Sequence, residues 1–340
     1  MAEQIAVHVL GKDGKLTDSF EDNLQIAKVP VPAPQDGEVL ARLIYRPVNP
    51  SDVYRLIDMP GRAPQDLPFV PGLEGVGEVV ENGPGTSGDY KKGERVVAVP
   101  WPGRATGQGT WQQYVAVPEK DLIKVPDAID SKAASQFLVN PVTAYGLVED
   151  IAVPEGKWLL QTAAGSVLGR IVIALAKRKG IKTINVVRRS AQKQELLDLG
   201  ADEVIATDTE DLVSRVKEIT DGEMAYGALD AIGGSAIESV LDSIRAGGRV
   251  LLYGALGGPE VRYSVIKVIY AAKKVEGWML FHWLHRGGSD GKKDLQKVWD
   301  LFLDGTIQPY TGEVFPLEKT VDAVKASLNV GRGGKVLIEG

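Results

Sequence analysis

The fold is decided by the stretch Trp158-Leu-Leu-Gln-Thr-Ala-Ala-Gly-Ser-Val-Leu-Gly169. Its first residues, Trp158–Leu160, form the short apolar run that a strand buried on both faces requires. The small residues Ala164-Gly165-Ser166 then interrupt the run, and the apolar residues after them fall close to helical spacing. A strand, a tight turn and a helix N-terminus direct free backbone N–H groups to one place. The stretch therefore predicts an anion site, but only two of the usual fingerprint glycines are present, and a plain strand–turn–helix is the alternative.

A second strand, Gly180–Val187, follows the glycines at the distance where a dinucleotide-binding fold places its ribose-contacting residue. An NAD enzyme has an acid there, whereas this chain has Arg188-Arg189-Ser190. Two guanidinium groups and a hydroxyl suit a 2′-phosphate, because arginine offers a bidentate fork to phosphate oxygens. We therefore expect NADPH as the cofactor, and a solvated arginine pair at a strand end is the alternative.

Composition restricts the class of protein. The chain has 340 residues, which is long enough for two domains. Its net charge is −6, and 44% of its residues are hydrophobic. The acidic balance gives no support for a nucleic-acid surface, and no apolar run approaches the length of a membrane span. The start, Met1–Leu10, is interpreted as a strand rather than a targeting segment. We expect a cytoplasmic protein, or a mitochondrial one if a transit segment has been removed.

Cysteine is absent and only three histidines occur, His8, His282 and His285. Disulfides, a thiolate nucleophile and a zinc site built on cysteine are therefore excluded. Three histidines spread in this way also make an imidazole-based catalytic zinc a poor interpretation. We expect no metal site.

The pattern of elements predicts an α/β protein in which a doubly wound parallel domain is inserted into a β-rich domain. Short strands with turn residues fill residues 1–126, and one of them is predicted over Val70–Val80. Helices are predicted on both sides of Asn140-Pro141, followed by alternating strands and helices. A last strand at Gly334–Ile338 returns to the first domain. The predicted domains are 1–126 with 286–340, and 127–285.

The layout of nearly the whole chain resembles the medium-chain dehydrogenase/reductase superfamily. Zinc enzymes of that superfamily carry a ligand in a Gly-His-Glu motif, and the segment here is Gly72-Leu73-Glu74, so the chain resembles a zinc-free branch. Within that branch it is most similar to the NADPH-dependent 2-enoyl thioester reductases. The segments that carry this similarity are Asn49-Pro-Ser-Asp52, Asn140-Pro-Val-Thr-Ala-Tyr145, Thr183-Ile-Asn-Val-Val-Arg188, Tyr253-Gly254 and Lys274-Val-Glu-Gly-Trp-Met-Leu-Phe-His-Trp283.

The resemblance implies a GroES-like β-rich domain, a Rossmann domain and a set of residues that line the pocket for NADPH and the acyl group. These are Asn140, Thr143, Gly165, Ser166, Val167, Leu168, Arg188, Arg189, Tyr253, Gly254, Ala255, Leu256, Trp278, Met279, Leu280 and Lys335. Packing is the alternative for these positions, above all for Trp278 and Trp283, which are ordinary core residues by type.

One position departs from the thioester reductases. Their catalytic tyrosine follows the Asn-Pro-Ser-Asp motif at the place that Pro60 occupies here. The nearest candidate acid is Tyr54, whose setting after Asn49 and Asp52 is similar to that of the quinone oxidoreductases of the same branch. A buried tyrosine with a satisfied hydroxyl is the alternative. We take Tyr54 and Asn49 as the catalytic candidates.

The function predicted by the resemblance is reduction of an activated carbon–carbon double bond by NADPH, with hydride to the β-carbon of a 2-enoyl thioester and a proton to the α-carbon. A quinone or enone reductase is the alternative within enzymes, and a non-catalytic NADPH-binding protein is the alternative outside them. We also expect a homodimer, because the apolar segment Val265–Tyr270 and the edge strand from Val275 would pair across a two-fold axis, as in relatives.

Overall fold

The protein is described here by a computed structural model that covers residues 2–58, 66–99, 101, 108–286, 291–329 and 333–340, with the backbone alone at 291–293. The chain divides into two compact units. We call Met1–Val139 with Gln308–Gly340 the β-rich unit, and Asn140–Ile307 the parallel-sheet unit. Among the described residues, no helix combines the length and apolar character needed to cross a bilayer.

The strands are named in chain order. They are β1 (Glu3–Val9), β2 (Leu24–Pro30), β3 (Glu38–Pro47), β4 (Val76–Asn82), β5 (Arg95–Ala98), β6 (Tyr114–Pro118), β7 (Leu122–Lys124), β8 (Trp158–Gln161), β9 (Lys182–Val187), β10 (Glu203–Ala206), β11 (Ala225–Asp230), β12 (Ile244–Leu252), β13 (Lys274–Gly277), β14 (Thr311–Pro316) and β15 (Lys335–Glu339).

The α-helices follow the same rule. They are α1 (Phe20–Asn23), α2 (Pro50–Val53), α3 (Ser131–Ser135), α4 (Thr143–Ile151), α5 (Val167–Arg178), α6 (Lys193–Asp198), α7 (Leu212–Ile219), α8 (Ile237–Asp242), α9 (Val265–Tyr270), α10 (Leu280–Leu284), α11 (Gly291–Leu303) and α12 (Thr320–Leu328).

The β-rich unit is built on a mainly antiparallel sheet with the order β14-β15-β3-β4-β5-β7, to which β6 adds by pairing with β3. Alternate residues of β3, among them Val39, Ala41 and Leu43, are buried in its core. The last strand, β15, pairs antiparallel with β3, so that Leu337 lies opposite Pro47. The tail of the chain therefore completes the first unit, as the sequence predicts.

The parallel-sheet unit holds a six-stranded sheet with the order β10-β9-β8-β11-β12-β13, and its pairings are parallel. The strand order reverses between β8 and β11. In doubly wound sheets, ligands bind at the carboxyl ends of the strands beside such a reversal. The predicted α/β class is confirmed, and the turn after β8 lies at this switch point.

Some local predictions are wrong. The segment Val70–Val80 forms a strand only from Val76, because Pro71 has no N–H and Gly72 has a φ of +103°, which an extended strand does not accept. The chain does not break at Asn140-Pro141. A π-helical turn over Leu138–Val142 contains Pro141 and leads directly into α4, since a proline is tolerated just before the first helical turn.

The unit boundaries also differ from the predicted domain boundaries. The units change at 139/140 and 307/308 rather than at 126/127 and 285/286. Helix α3 packs on β3 and β4, which keeps it in the β-rich unit. Asp304, just after α11, forms an ion pair with Arg178 of α5 at 2.9 Å, which keeps this segment in the parallel-sheet unit.

Candidate functional site

The turn between β8 and α5 has the geometry of an anion site. Ser166 is the N-cap of α5, and its hydroxyl accepts from the Gly169 N–H at 3.0 Å. The N–H groups of Val167 and Leu168, the first helical residues, have no intrahelical acceptor. A Cβ at Gly169 would lie 2.6 Å from the Ala164 carbonyl oxygen, so glycine is required for the helix to start this close to the turn. The predicted strand–turn–helix is therefore present.

Two strand ends beside this turn hold a network that the sequence reasoning missed. The Thr162 hydroxyl, after β8, donates to Asp230, the last residue of β11, at 2.5 Å. Asp230 also accepts from the Gly233 N–H at 2.8 Å. The loop after β12 lies alongside, because the Leu256 N–H donates to the Ala231 carbonyl at 3.1 Å. The sequence signal for this network is an acid at the end of a buried strand, Asp230 on β11, whereas an acid was expected only after β9.

Tyr253 follows β12 at the same edge and supplies an observation that fits a cofactor. Its hydroxyl is shielded from solvent and has no hydrogen-bond partner within the described part of the chain. Burial, with the charge of Asp230, raises the pKa of this hydroxyl, so that it remains a donor at every physiological pH. A buried hydroxyl without a partner is costly unless a ligand supplies one. Together with the open helix N-terminus, Tyr253 fits a bound dinucleotide, with Gly254 and Ala255 next to it.

The arginine pair after β9 is exposed. Neither Arg188 nor Arg189 has an ion-pair or hydrogen-bond partner among the residues that the structure describes. Ser190 differs from the prediction, because its N–H and hydroxyl both lie against the Asp208 carboxylate, at 3.0 and 3.4 Å. The Ser190 N–H lowers the pKa of Asp208, so this acid is ionised. The arginines are available to a phosphate, and the serine hydroxyl is engaged within the protein.

The aromatic segment before α10 is mainly packed. The indole N–H groups of Trp278 and Trp283 donate to the two carboxylate oxygens of Asp150, at 2.7 and 3.3 Å. A Cβ at Gly146 would lie within 2.8 Å of both indole rings, so the pair fits against α4 only over this glycine. Leu280 is buried, whereas Met279 is exposed. Of the predicted pocket residues here, Met279 presents the most accessible surface.

Asn140 and Thr143 occupy the turn that opens the parallel-sheet unit. Asn140 lies in the π-helical turn and Thr143 is the first residue of α4, and both are buried. Asn140 and Thr143 lie on one continuous helical path, because the π-helical turn runs through Pro141 into α4. The sequence predicts two separate helices here instead.

The β-rich unit contains a buried polar cluster that we call the Asn49 cluster, formed by Asn49, Asp52, Glu74 and Lys335. Each of the four side chains is at most 2% exposed. Asn49 Nδ2 donates to Glu74 Oε1 at 2.8 Å, and Lys335 Nζ donates to Asn49 Oδ1 at 2.6 Å. Asp52 Oδ2 accepts from the Asn49 backbone N–H at 2.9 Å. Lys335, predicted as a pocket residue, is therefore in direct contact with the predicted catalytic residue Asn49.

Burial dominates the electrostatics of this cluster. It raises the pKa of Glu74 to about 7 and that of Asp52 to about 6, although hydrogen bonds and Lys335 act in the opposite direction. In the sequence, Glu74 stands out only as part of Gly72-Leu73-Glu74, and Asp52 only as part of the Asn49-Pro-Ser-Asp52 motif that precedes Tyr54. Nothing local in the sequence indicates that the two carboxyl groups share one buried space with a lysine.

Tyr54 directly follows α2, the short helix that begins after Asn49. Its ring is half-buried, and burial raises the pKa of its hydroxyl above the ordinary value. The phenol is therefore protonated at neutral pH and is able to donate. The two catalytic candidates are thus placed on one turn of the chain. Pro60, the position that departs from the thioester reductases, lies outside the described residues.

Within the described residues, no three histidine, cysteine, aspartate or glutamate side chains come together in a group able to hold a metal ion. Leu73, at the position of the histidine in the zinc motif, is a buried apolar residue.

Comparison with known proteins extends the resemblance over the whole chain. Residues 35–127 match the alcohol dehydrogenase GroES-like domain, and residues 167–304 match the zinc-binding dehydrogenase domain. The mitochondrial enoyl-[acyl-carrier-protein] reductase of Arabidopsis thaliana is 31% identical over 92% of this chain and 84% of its own length.

Two solved structures have the same fold. A candidate NADPH:quinone reductase of Bacillus thuringiensis is 28% identical with a TM-score of 0.89, and all of both chains is covered. A mycobacterial protein solved in complex with NADPH is 25% identical with a TM-score of 0.86, over 99% of this chain and 100% of its own. The chain belongs to the medium-chain dehydrogenase/reductase superfamily, in the branch that contains the enoyl reductases and the quinone oxidoreductases.

Proposed function

We propose that the protein is an NADPH-dependent reductase of activated carbon–carbon double bonds and that its substrate is a 2-enoyl thioester. The observation that carries the proposal is the exposed arginine pair, Arg188 and Arg189, which lies beside the turn that opens α5 and has no partner among the described residues. An arginine pair at this position suits the 2′-phosphate of NADPH. The enoyl reductase similarity over 92% of the chain supports the thioester.

Bound NADPH would supply the hydride, and the protein would supply orientation, electrostatics and exclusion of water. The N-terminus of α5 would hold the pyrophosphate, the arginines the 2′-phosphate, and the Tyr253 hydroxyl would donate to a polar atom of the dinucleotide. As hydride reaches the β-carbon, negative charge develops on the carbonyl oxygen of the substrate. The Tyr54 phenol is the proposed donor that stabilises this charge.

A quinone or enone reductase is the second candidate. Tyr54 in its setting after Asn49 favours it, as does the similarity to the candidate NADPH:quinone reductase. The reaction would use the same residues, because a quinone carbonyl also develops negative charge when a hydride is added.

The test is a panel of substrates followed by NADPH oxidation, with a short enoyl-CoA, a medium-chain enoyl-CoA, a small enone and a benzoquinone. The proposal expects the highest kcat/KM with an enoyl-CoA and places the protein in fatty-acid metabolism. A preference for benzoquinone or the enone would favour the second candidate. Binding of NADPH without turnover of any of the four would indicate a non-catalytic protein.

We also propose a homodimer and a cytoplasmic location. Helix α9 exposes Val265, Ile266, Ile269 and Tyr270, each at least 60% accessible, beside the edge strand β13. The apolar segment predicted to pair is thus a helix. Sedimentation at micromolar concentration showing a mass near 36.5 kDa would contradict the dimer. The similar enoyl reductases are named as mitochondrial, which is the alternative location. Fractionation of the native host would distinguish the two locations.

A further inference from the structure

Glu74 uses both of its carboxylate oxygens to join two parts of the β-rich unit. Oε1 accepts from Asn49 Nδ2 at 2.8 Å, and Oε2 accepts from the backbone N–H of Val139 at 2.8 Å. Val139 is the last residue of the β-rich unit before Asn140. One buried side chain therefore binds the predicted catalytic residue Asn49 and also Val139, the residue just before the predicted cofactor residue Asn140.

The Asn49 amide has one possible orientation in this setting. Its Nδ2 faces the carboxylate of Glu74 and its Oδ1 faces the ammonium group of Lys335. A rotation that exchanged nitrogen and oxygen would set oxygen against a carboxylate and N–H against an ammonium group, and both contacts would be repulsive. The direction in which Asn49 presents its amide is therefore fixed by these two charged neighbours, on the loop before β4 and on strand β15, together with the Asp52 backbone N–H, from which the Asn49 side chain accepts within its own turn.

The arrangement depends on the charge of Glu74. An ionised carboxylate accepts at both oxygens, whereas a protonated one carries an O–H donor at one of them. A proton on Glu74 would thus face either the Asn49 amide N–H or the Val139 N–H, and one of the two hydrogen bonds would be lost. The charged groups that act on Glu74 are Asp52 on α2 and Lys335 on β15, while Arg55, just after α2, acts on Asp52.

We propose that ionised Glu74 is a positioning residue for the reduction, which holds Asn49 and the Val139 segment in the arrangement required for turnover, and that its protonation releases one of them. The inference rests on the proposed function, because it assigns Glu74 a role in that reaction. It adds that the reaction slows when Glu74 gains a proton. Glu74 does not itself contact the substrate, since both oxygens are engaged within the protein.

The first test compares wild type with Glu74→Gln and the matched control Glu78→Gln over a range of pH. Glu78, four residues along the chain on β4, pairs with Arg42 at 2.8 Å and is partly exposed. In wild type, kcat/KM should fall below about pH 7, where Glu74 becomes protonated. Glu74→Gln should lower kcat roughly tenfold or more at pH 8, with no fall near pH 7 and little change in the Kd for NADPH. Glu78→Gln should retain the wild-type profile.

Glu74→Asp sharpens the comparison, because it keeps the charge on a shorter side chain. It should recover part of the activity and restore the fall at acidic pH. The inference would be overturned by a Glu74→Gln profile with the same acidic fall as wild type. A parallel loss of NADPH affinity in Glu74→Gln would overturn it too, because a general structural role would then explain the result.

A second measurement needs no substrate and separates this inference from the proposed function. The pKa of Glu74 is about 7 in the folded chain against an ordinary value of 4.5. Between these two pH values, Glu74 is therefore protonated in the folded state and ionised in the unfolded state. The stability contributed by Glu74 is then lost as pH rises through this window. The melting temperature of Glu74→Gln relative to wild type should therefore increase from pH 5 to 7, whereas that of Glu78→Gln should stay constant. No such increase would overturn the inference, even if no substrate were found.

Discussion

Charged groups are buried and paired in one region of the molecule and exposed in another. The first region is the Asn49 cluster of the β-rich unit, and the second is the arginine pair after β9 in the parallel-sheet unit. The cluster buries two carboxyl groups and an ammonium group and satisfies them largely with one another. Arg188 and Arg189 stand in solvent with no partner in the described part of the chain. Internal partners fix the geometry of a group before a ligand arrives, while unpaired exposed charges leave the interaction for the ligand itself.

This difference has an energetic meaning. Removing a charge from water costs free energy, and in the cluster the opposite charges offset this cost. Loss of one charged member therefore leaves the remaining buried charges uncompensated. Exposed charges interact weakly with one another and are screened by salt. Changes in the cluster should therefore affect stability and turnover, whereas changes in the arginine pair should affect only cofactor affinity.

Lys335→Met should have the largest effect. It removes the cation from the cluster, removes the ammonium donor of Asn49 Oδ1 and leaves two buried carboxyl groups together. The free energy of unfolding should fall by about 3 kcal/mol or more at pH 8. The control is Lys325→Met on α12, whose ammonium is half-exposed and pairs with Glu21 at 3.1 Å, and which should cost less than about 1 kcal/mol. Equal losses in chemical denaturation would contradict the contrast.

Tyr54→Phe comes next, because it keeps the ring and removes only the hydroxyl. If the phenol donates to the developing negative charge, kcat should fall by roughly 10²-fold, with the KM for NADPH unchanged. Steady-state kinetics at saturating NADPH would measure it. A fall of less than about threefold would leave Tyr54 as a packing residue and move the donor to Asn49, the cofactor ribose or water.

The arginine pair should give a smaller effect that is confined to one cofactor. Replacing Arg188 and Arg189 by serine should raise the KM for NADPH by roughly tenfold or more and leave that for NADH nearly unchanged. The effect should shrink at high salt, because the pair is exposed. Arg178→Ser, at the far end of α5, should change neither value. Equal losses with NADPH and NADH would mean that the pair is structural.

Removal of metal should have no effect. The chain has no cysteine and Leu73 stands where zinc enzymes of the superfamily have a histidine. After exhaustive chelation, activity should equal that of the untreated enzyme, and elemental analysis should find no stoichiometric zinc. About one zinc per chain, together with activity lost on chelation, would show that the metal ligands lie elsewhere.

Most of the parallel-sheet unit was predictable, because its signals are local. Strand β8, the turn at Gly165 and helix α5 follow from apolar spacing within about twenty residues. The errors lie where a neighbour overrides the pattern. Gly72 is held at a positive φ against Thr110, so the predicted strand begins only at Val76. The helical turn continues through Pro141, so the predicted break is absent.

The sequence by itself determined the superfamily, the doubly wound sheet and the position of the arginine pair, because each depends on residues close together along the chain. Only the tertiary structure decided the Asn49 cluster. Glu74 lies 25 residues from Asn49 and Lys335 lies 286 residues from it, and no pattern connects such distances. Burial, which the fold alone imposes, then raises the pKa of both carboxyl groups and turns three ordinary polar residues around Asn49 into a fixed, charge-dependent arrangement.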